Sequence, residues 1–232
     1  NIFYENISII YGYLNDLFCD NHLSLSNLEY YLYKNLKNNG YKRIIFIDSE
    51  KSIYSFDTYS LNSCLANIKS EELIKGPLAD YSFFNRKVEK SLNYYNGFIE
   101  IFDNIMNDSI QTAIFFKNFD EFLLKNEPSI EKIKKLLKLF LKNNANNSNK
   151  IILAFDVLKS EEVKDIIINN NLSFLKEILE ENTNALLKVN LPEKDEIYNL
   201  LNYLRIKNNL AFDWETYDEV VIMLKNQKLK LK

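Results

Sequence analysis

The chain has 232 residues, of which 47% are hydrophobic and 26% are charged, and its formal net charge is −3. This composition predicts a folded chain and excludes a largely disordered one, while the acidic balance argues against nucleic-acid binding over the whole surface. Two cysteines are too few for a disulfide framework, and no apolar run approaches the roughly 18 residues of a membrane span. We therefore expect a cytoplasmic protein without a membrane partner.

Five short runs of apolar, β-branched or aromatic residues have the length of a strand. Several are almost continuously apolar, which is typical of strands buried on both faces of a parallel sheet. The five predicted strands are Ile7–Tyr13, Arg43–Asp48, Thr112–Asn118, Lys150–Asp156 and Ala185–Leu191.

Helical patterns alternate with these strands. The first covers Leu28–Leu36, with Ser24 or Ser26 as the N-cap and Gly40 as the stop signal. A third helix follows Ser129 as its cap, and a fourth helical region is broken near Asn169–Asn171. The remaining predicted helices are Val88–Met106 (the second in chain order), Glu193–Asn208 and Asp213–Lys225, and the fourth region as a whole runs from Ser160 to Glu181.

This alternation predicts an α/β fold with a doubly wound, mostly parallel five-stranded sheet, because parallel neighbours need crossover helices. We expect residues 1–191 to form the core and residues 192–232 to begin a helical lid that stops early. Segment 49–84 has no clear periodicity, so we interpret it as a loop or insertion in which 52–57 forms a short extra strand.

The order of elements resembles the AAA+ family of P-loop ATPases over nearly the whole chain. Three segments add to the likeness. VNLPEKDEIYNLLNYL (Val189–Leu204) is similar to a fifth strand entering a lid, and TAIFFKNFDEFL (Thr112–Leu123) is similar to the strand that holds the Walker B acids. KIILAFD (Lys150–Asp156) is similar to the strand that ends in the polar sensor-1 residue. The resemblance implies a P-loop NTPase fold with ATP at the end of the first strand.

The phosphate loop expected from this resemblance is altered. That loop needs glycines whose amides surround phosphate, a lysine, and a Ser or Thr for Mg²⁺. The interval Gly12–Ser26 has one glycine and no Gly-Lys-Ser or Gly-Lys-Thr, so Gly12, Asn15 and Asp16 mark a degenerate slot. Asp16 and Asp20 would also bring negative charge toward a polyphosphate.

The Walker B position is altered as well. Lys117 and Asn118 stand where a metal-binding Asp and a catalytic Glu are expected. Asp120 and Glu121 are either a shifted catalytic pair or the exposed start of a helix. Asp156, near the sensor-1 position, is either functional or a strand end. These three acids are the only catalytic candidates, and we predict no metal site and no bound cofactor, with ATP binding as the alternative.

Other patterns favour ordinary structural roles. His22 is the only histidine and lies close to Cys19, but no nucleophile pattern supports a hydrolase, and a loop histidine is the simpler interpretation. The lysines of the third helix form a solvated face or, alternatively, a DNA contact; they are Lys132, Lys134, Lys135 and Lys138. The 15 Tyr and 16 Phe favour core packing and an oligomer interface over base stacking.

The sequence thus predicts a degenerate AAA+-like domain that does not hydrolyse ATP and serves as a regulatory or assembly module of a larger ATP-dependent machine. Its expected partners are other proteins, a downstream ATPase domain of the same polypeptide, or further copies of itself. The alternatives are an ATPase with a non-standard phosphate site and a DNA-associated factor.

Overall fold

The computed structural model describes residues 6–19, 25–48, 52–65, 73–74, 88–92, 102, 105, 109–124, 128–143, 149–209, 211 and 213–226. The chain divides into two compact units. The first comprises Asn1–Gly12 and Tyr33–Lys188, and the second comprises Tyr13–Leu32 and Val189–Lys232. The predicted boundary at residue 191 lies close to the division between Lys188 and Val189, and the second unit also takes in Tyr13–Leu32.

The first unit is built on a mixed sheet of eight strands in the order β10-β1-β9-β8-β4-β5-β7-β6. A separate antiparallel pair, β2 and β3, belongs to the second unit. The strands are β1 (Ile7–Gly12), β2 (Leu17–Cys19), β3 (Leu25–Asn27), β4 (Arg43–Ile47), β5 (Ser52–Ser55), β6 (Leu73–Ile74), β7 (Val88–Leu92), β8 (Thr112–Phe116), β9 (Lys150–Phe155) and β10 (Leu186–Val189).

The centre of the sheet is parallel. Strand β1 pairs with β9, β9 with β8, and β8 with β4, with Ile114 opposite Ile151 in the middle. Every residue of these four strands is buried, as their continuous apolar runs predict. The predicted α/β fold with a mostly parallel sheet is confirmed. The sheet has eight strands and not five, because β5, β7 and β6 extend it in antiparallel fashion beyond β4.

Eight α-helices have both ends among the described residues. They are α1 (Leu28–Asn38), α2 (Thr58–Leu65), α3 (Phe119–Leu124), α4 (Pro128–Asn143), α5 (Ser160–Asn169), α6 (Ser173–Glu181), α7 (Lys194–Asn208) and α8 (Trp214–Asn226). A 3-10 turn, Thr183–Ala185, precedes β10. The predicted break between α5 and α6 is confirmed, with Asn171 in the left-handed region at φ 55°. The two helices predicted after the sheet are α7 and α8.

Helix α1 ends as predicted but begins differently. Gly40, at φ +91°, donates its amide to the carbonyl of Lys37, and Tyr41 donates to Leu36, which is the Schellman arrangement. At the other end the cap is Asn27, whose Oδ1 accepts from the amide of Tyr30 at 3.0 Å. Ser26 instead lies buried in β3, and Ser24 lies outside the described residues.

Two further helix predictions need correction. Val88–Leu92 begins the predicted helix Val88–Met106 but forms strand β7, because it pairs with both β5 and β6. Of the rest of that prediction, only residues 102 and 105 are described, and both are helical. Ser129 lies inside α4 and is not its cap, since the helix begins at Pro128, a favoured first helical residue.

The second unit has a small core of its own. Helices α7 and α8 pack together through Ile197, Leu201, Tyr217 and Val221. The hydroxyl of Tyr217 donates to the carbonyl of Tyr198 at 3.0 Å, so this buried phenol has a partner. Strand β2 packs against α7. None of the helices in the described residues is long and apolar enough to cross a bilayer.

Candidate functional site

The strand order places a topological switch point at β1. Strand β1 lies between β10 and β9. The connection after β1 leads to β4 on one side of the sheet, whereas the connection after β9 leads to β10 on the other side. In open α/β sheets, ligands bind outside the carboxyl ends of the strands at such a point. The residues that follow β1, β8 and β9 are therefore the candidates for function, each within its own unit.

Gly12 is the last residue of β1 and has a positive φ of 109°. Its amide donates to the carbonyl of Val157 at 2.8 Å, in the segment that follows β9. The hydrogen bond extends the β1–β9 pairing by one step. The Gly12 amide is thus directed at the protein's own backbone.

The next amides are also engaged, in this case within the second unit. Tyr13 donates to the carbonyl of Val189 at 3.0 Å, and Asp16 donates to the carbonyl of Tyr13 at 3.4 Å. The amide of Leu17 donates to Oδ1 of Asp16 at 2.9 Å. Together with Gly12, four backbone amides of this turn donate to protein acceptors.

The turn leads into a hairpin rather than a helix. Residues 13–16 form a bend and turn, β2 and β3 follow, and α1 begins only at Leu28. A phosphate loop instead opens a helix directly, so that the free amides of the first helical turn face the phosphate. Asn15 lies exposed in this turn.

Acidic side chains gather beside this turn in the second unit. Asp16 is only 4% exposed. In the first turn of α7, Glu196 accepts the amide of Glu193 at 3.1 Å. Burial raises the pKa of Glu196, the Glu193 amide lowers it, and the negative charges of Glu193 and Asp16 raise it further. The local field therefore opposes additional negative charge.

The end of β8 corresponds to the predicted Walker B position. Lys117 donates its amide to the carbonyl of Ile47 at 2.7 Å, which continues the β4–β8 ladder. Asn118 takes a left-handed conformation with φ 49°, and α3 begins at Phe119. The turn places Asp120 and Glu121 in the first turn of α3, where acids interact favourably with the helix dipole.

The structure brings Asp120 and Asp156 together. Oδ1 of Asp120 accepts the amide of Asp156 at 3.1 Å, which ties α3 to the end of β9. Burial raises the pKa of Asp120, this hydrogen bond lowers it, and the charges of Asp156 and Glu121 raise it again. Glu121 itself is exposed. Within the described residues, no group of three or more His, Cys, Asp or Glu could hold a metal ion.

This arrangement permits two interpretations of Asp120. A carboxyl group with a raised pKa at the carboxyl edge of a sheet is a candidate general base. The same carboxylate is also a structural link between α3 and β9. The catalytic roles of Asp120, Glu121 and Asp156 remain predictions.

The structure describes only some of the other residues singled out in the sequence. His22 and Asp20 are outside the described residues, and Cys19 ends β2. On α4, Lys134 pairs with Glu131 at 2.8 Å, while Lys135 and Lys138 are exposed. The side chain of Lys132 is outside the described set.

A polar cluster around Asp57 was not anticipated. Asp57 caps α2: its Oδ1 accepts the amide of Ser60 at 2.6 Å, and its Oδ2 accepts the Ser60 hydroxyl at 2.8 Å and the Tyr33 hydroxyl at 2.9 Å. Lys37 lies 3.1 Å away. Burial raises the pKa of Asp57, but the hydrogen bonds outweigh it, and the net pKa is lowered. An Asp three residues before Ser60 is a typical N-cap signal, so this cap could have been predicted from the sequence.

The sheet defines the class of protein. Numbered along the chain, the five predicted strands lie in the order fifth, first, fourth, third, second, with helices between them. The chain has an α/β fold with a doubly wound sheet that is parallel at its centre.

The chain is similar to two solved structures, and neither likeness identifies a family. No protein-family model matches the chain, and no curated protein matches it. It is similar to a solved DNA replication initiation factor, at 11% identity and a TM-score of 0.40, over 93% of this chain and 50% of that one. It is also similar to a Walker-type ATPase of Pyrococcus abyssi, at 16% identity and a TM-score of 0.42, over 94% of this chain and 58% of that one. The chain thus spans half the length of the first protein and 58% of the second.

Proposed function

We propose that this chain is a non-hydrolysing domain of P-loop NTPase-like fold that serves as a regulatory or assembly module of a larger ATP-dependent machine. One observation supports the proposal most directly. The amides of Gly12, Tyr13, Asp16 and Leu17 donate to acceptors within the protein, and the chain then enters a hairpin.

The physical cost of binding a triphosphate here is twofold. Each engaged amide would have to leave its present acceptor, and an unsatisfied buried acceptor costs about 1–3 kcal/mol. The buried carboxylate of Asp16 and the nearby Glu196 would face the incoming phosphates without a lysine to offset them. Both effects act against the same ligand.

What the fold retains supports the module role. The buried parallel strands retain the central sheet that is typical of the fold class, while the residues that would bind phosphate are replaced. A domain of this kind contributes surfaces to an assembly, and its partners would be proteins, including an ATPase domain of the same polypeptide. In a fold class shared by many proteins, function depends on the binding and catalytic residues rather than on the fold itself.

Calorimetric titration of the chain with ATP and with ADP, in the presence of Mg²⁺, tests the proposal. We expect no binding heat and no rise in the unfolding temperature, whereas a ligand at 100 times its dissociation constant would add about 2.7 kcal/mol of stability. Asp16→Asn is the matched variant, because it removes a charge but leaves the amides engaged, so it should not gain binding. Micromolar, Mg²⁺-dependent binding would overturn the proposal.

The alternative of an ATPase with a non-standard site draws support from the raised pKa of Asp120. Steady-state phosphate release separates the two ideas. Hydrolysis that disappears in Asp120→Ala but persists in Glu121→Ala, its exposed neighbour, would favour the alternative. The absence of hydrolysis in the unaltered chain would favour the module.

A further inference from the structure

The C-terminal ends of α1 and α5, both in the first unit, have the same hydrogen-bonded turn. At the end of α1, Asn39 completes the Schellman arrangement of Gly40 and Tyr41, because its Nδ2 donates to the carbonyl of Asn35 at 2.7 Å. Asn39 and Gly40 are both exposed, and Gly40 is in the left-handed region at φ 91°. Backbone and side-chain hydrogen bonds thus both hold this surface turn.

The end of α5 repeats this geometry with one difference. Nδ2 of Asn170 donates to the carbonyl of Ile166 at 2.9 Å, which is the same spacing as in α1. The next residue, Asn171, is left-handed at φ 55°. Leu172 then donates its amide to the carbonyl of Ile167 at 3.0 Å, again with the spacing found in α1. The left-handed residue is therefore a glycine in the first turn and an asparagine in the second.

An asparagine that precedes a glycine is chemically reactive toward its own backbone. The backbone nitrogen of Gly40, after losing its proton to hydroxide, attacks Cγ of Asn39. The bond from Cγ to Nδ2 breaks, and Nδ2 takes a proton from water and leaves as ammonia. Water then opens the succinimide ring at either carbonyl, which produces aspartate or isoaspartate. Glycine favours this attack because it has no Cβ beside the attacking nitrogen.

We propose that Asn39 is a site of spontaneous deamidation, and that the closed turn at the end of α1 slows the reaction until the turn opens. In the closed turn, the Gly40 amide and Nδ2 of Asn39 both donate to carbonyls of α1, so the attacking and leaving nitrogens are both held. A helix end opens at a lower free energy than the whole fold, so the reaction proceeds in the native chain. The inference does not depend on the proposed function.

The product destabilises the end of α1. A carboxylate at this position cannot donate to the carbonyl of Asn35, and its charge lies at the negative end of the helix dipole. Isoaspartate also lengthens the backbone before Gly40, which moves the amides of Gly40 and the buried Tyr41 off their acceptors. Asn39→Asp imitates the aspartate product and should lower the midpoint of thermal unfolding. An unchanged midpoint would refute this consequence.

Peptide mapping by mass spectrometry, after incubation of the whole chain at mildly alkaline pH, tests the proposal. We expect deamidation at Asn39 and none at Asn170. In guanidinium chloride the rate at Asn39 should rise at least about tenfold, equivalent to a local opening free energy of about 1.4 kcal/mol, and hydrogen exchange of the Gly40 amide should show the same factor. The other Asn–Gly pair of the sequence, Asn96–Gly97, is the positive control in denaturant. No deamidation at Asn39 in the folded chain, or equal rates with and without denaturant, would overturn the proposal.

A reciprocal exchange between the two turns is the decisive step. Gly40→Asn should abolish deamidation at Asn39, and Asn171→Gly should create it at Asn170. Asparagine and glycine both accept the left-handed conformation, and a Cβ at position 40 would meet no atom closer than Oε1 of Gln111 at 3.9 Å. Circular dichroism verifies that each variant folds, and either variant alone suffices for the test. Deamidation that persists in Gly40→Asn, or that does not arise in Asn171→Gly, would overturn the proposal.

Discussion

Asp57 and Asp120 are half-buried aspartates of the first unit. Asp57 caps α2 and Asp120 lies in the first turn of α3, yet their environments differ. Asp57 receives hydrogen bonds from Ser60 and Tyr33 and lies beside Lys37, and its pKa is lowered. Asp120 accepts one amide at the end of β9, lies near other acids, and has a raised pKa.

The difference separates a carboxylate that stabilises the fold from one that the fold tolerates. The charge of Asp57 is matched by donors and a cation, so it favours the folded state. The charge of Asp120 is opposed by burial and by its acidic neighbours. A carboxyl group whose charge the fold disfavours, at the carboxyl ends of the strands, is a candidate for function. A carboxyl group whose charge is paired with donors and a cation is structural.

The largest expected effect comes from removing the apolar side chain of Phe119, next to Asp120. Phe119 is fully buried and contacts the rings of Phe116, Phe122 and Phe155. Phe119→Ala should lower the free energy of unfolding by about 3–5 kcal/mol, because it leaves a cavity in the core. Urea denaturation followed by circular dichroism measures the change. A loss below about 1 kcal/mol would show that α3 is not anchored here.

The next effect tests the satisfied carboxylate. Asp57→Asn keeps one acceptor but removes the charge that Lys37 and the Ser60 amide favour. We expect a loss of about 1–2 kcal/mol in the free energy of unfolding. Urea denaturation at neutral pH is the measurement, with Tyr33→Phe as a milder variant that removes one hydrogen bond and keeps the charge. An unchanged stability would contradict the structural role.

The pH dependence should follow from the direction of the Asp57 shift. Its folded-state pKa lies below the ordinary value of 3.8, so its contribution is fully present above that value and is lost as the pH falls through the folded pKa. The stability difference between the unaltered chain and Asp57→Asn should therefore shrink in acid. Denaturation curves across this range measure it, and a difference that grows in acid would reverse the assigned sign.

The smallest effect has the opposite sign. Asp120→Asn retains an oxygen that can accept the Asp156 amide and removes a charge that burial and Asp156 disfavour. At neutral pH we expect a gain of about 0.5 kcal/mol, kept small by solvent screening. The gain should vanish in acid, where Asp120 is protonated in both states. Destabilisation by this substitution would mean that the Asp120 charge is satisfied after all.

The central strands could be predicted because burial on both faces leaves a continuous apolar run in the sequence. Arg43–Ile47 and Lys150–Phe155 are examples, and even their polar first residues are buried. Helices α7 and α8 were predicted as Glu193–Asn208 and Asp213–Lys225, and each observed end lies within one residue of its predicted position. Local patterns suffice where an element buries one obvious face.

The missed elements depend on distant partners. Leu17–Cys19 and Leu25–Asn27 are three-residue strands too short for any periodicity, and Val88–Leu92 becomes a strand only by pairing with β5 and β6. At the site, the proximity of Asp120 and Asp156 follows from the pairing of β8 with β9. Strand order of this kind is set by the whole sheet and cannot be read from one segment.

The segment inserted after β1 has a consequence for folding. Hairpin β2–β3 packs against α7, but the chain between them, from Tyr33 to Lys188, belongs to the other unit. Contacts so distant in sequence form slowly, because a long loop must close before any of them is made. During synthesis, which proceeds from the N-terminus, the hairpin must wait until α7 has left the ribosome. Misfolding before that moment should be concentrated in Tyr13–Leu32.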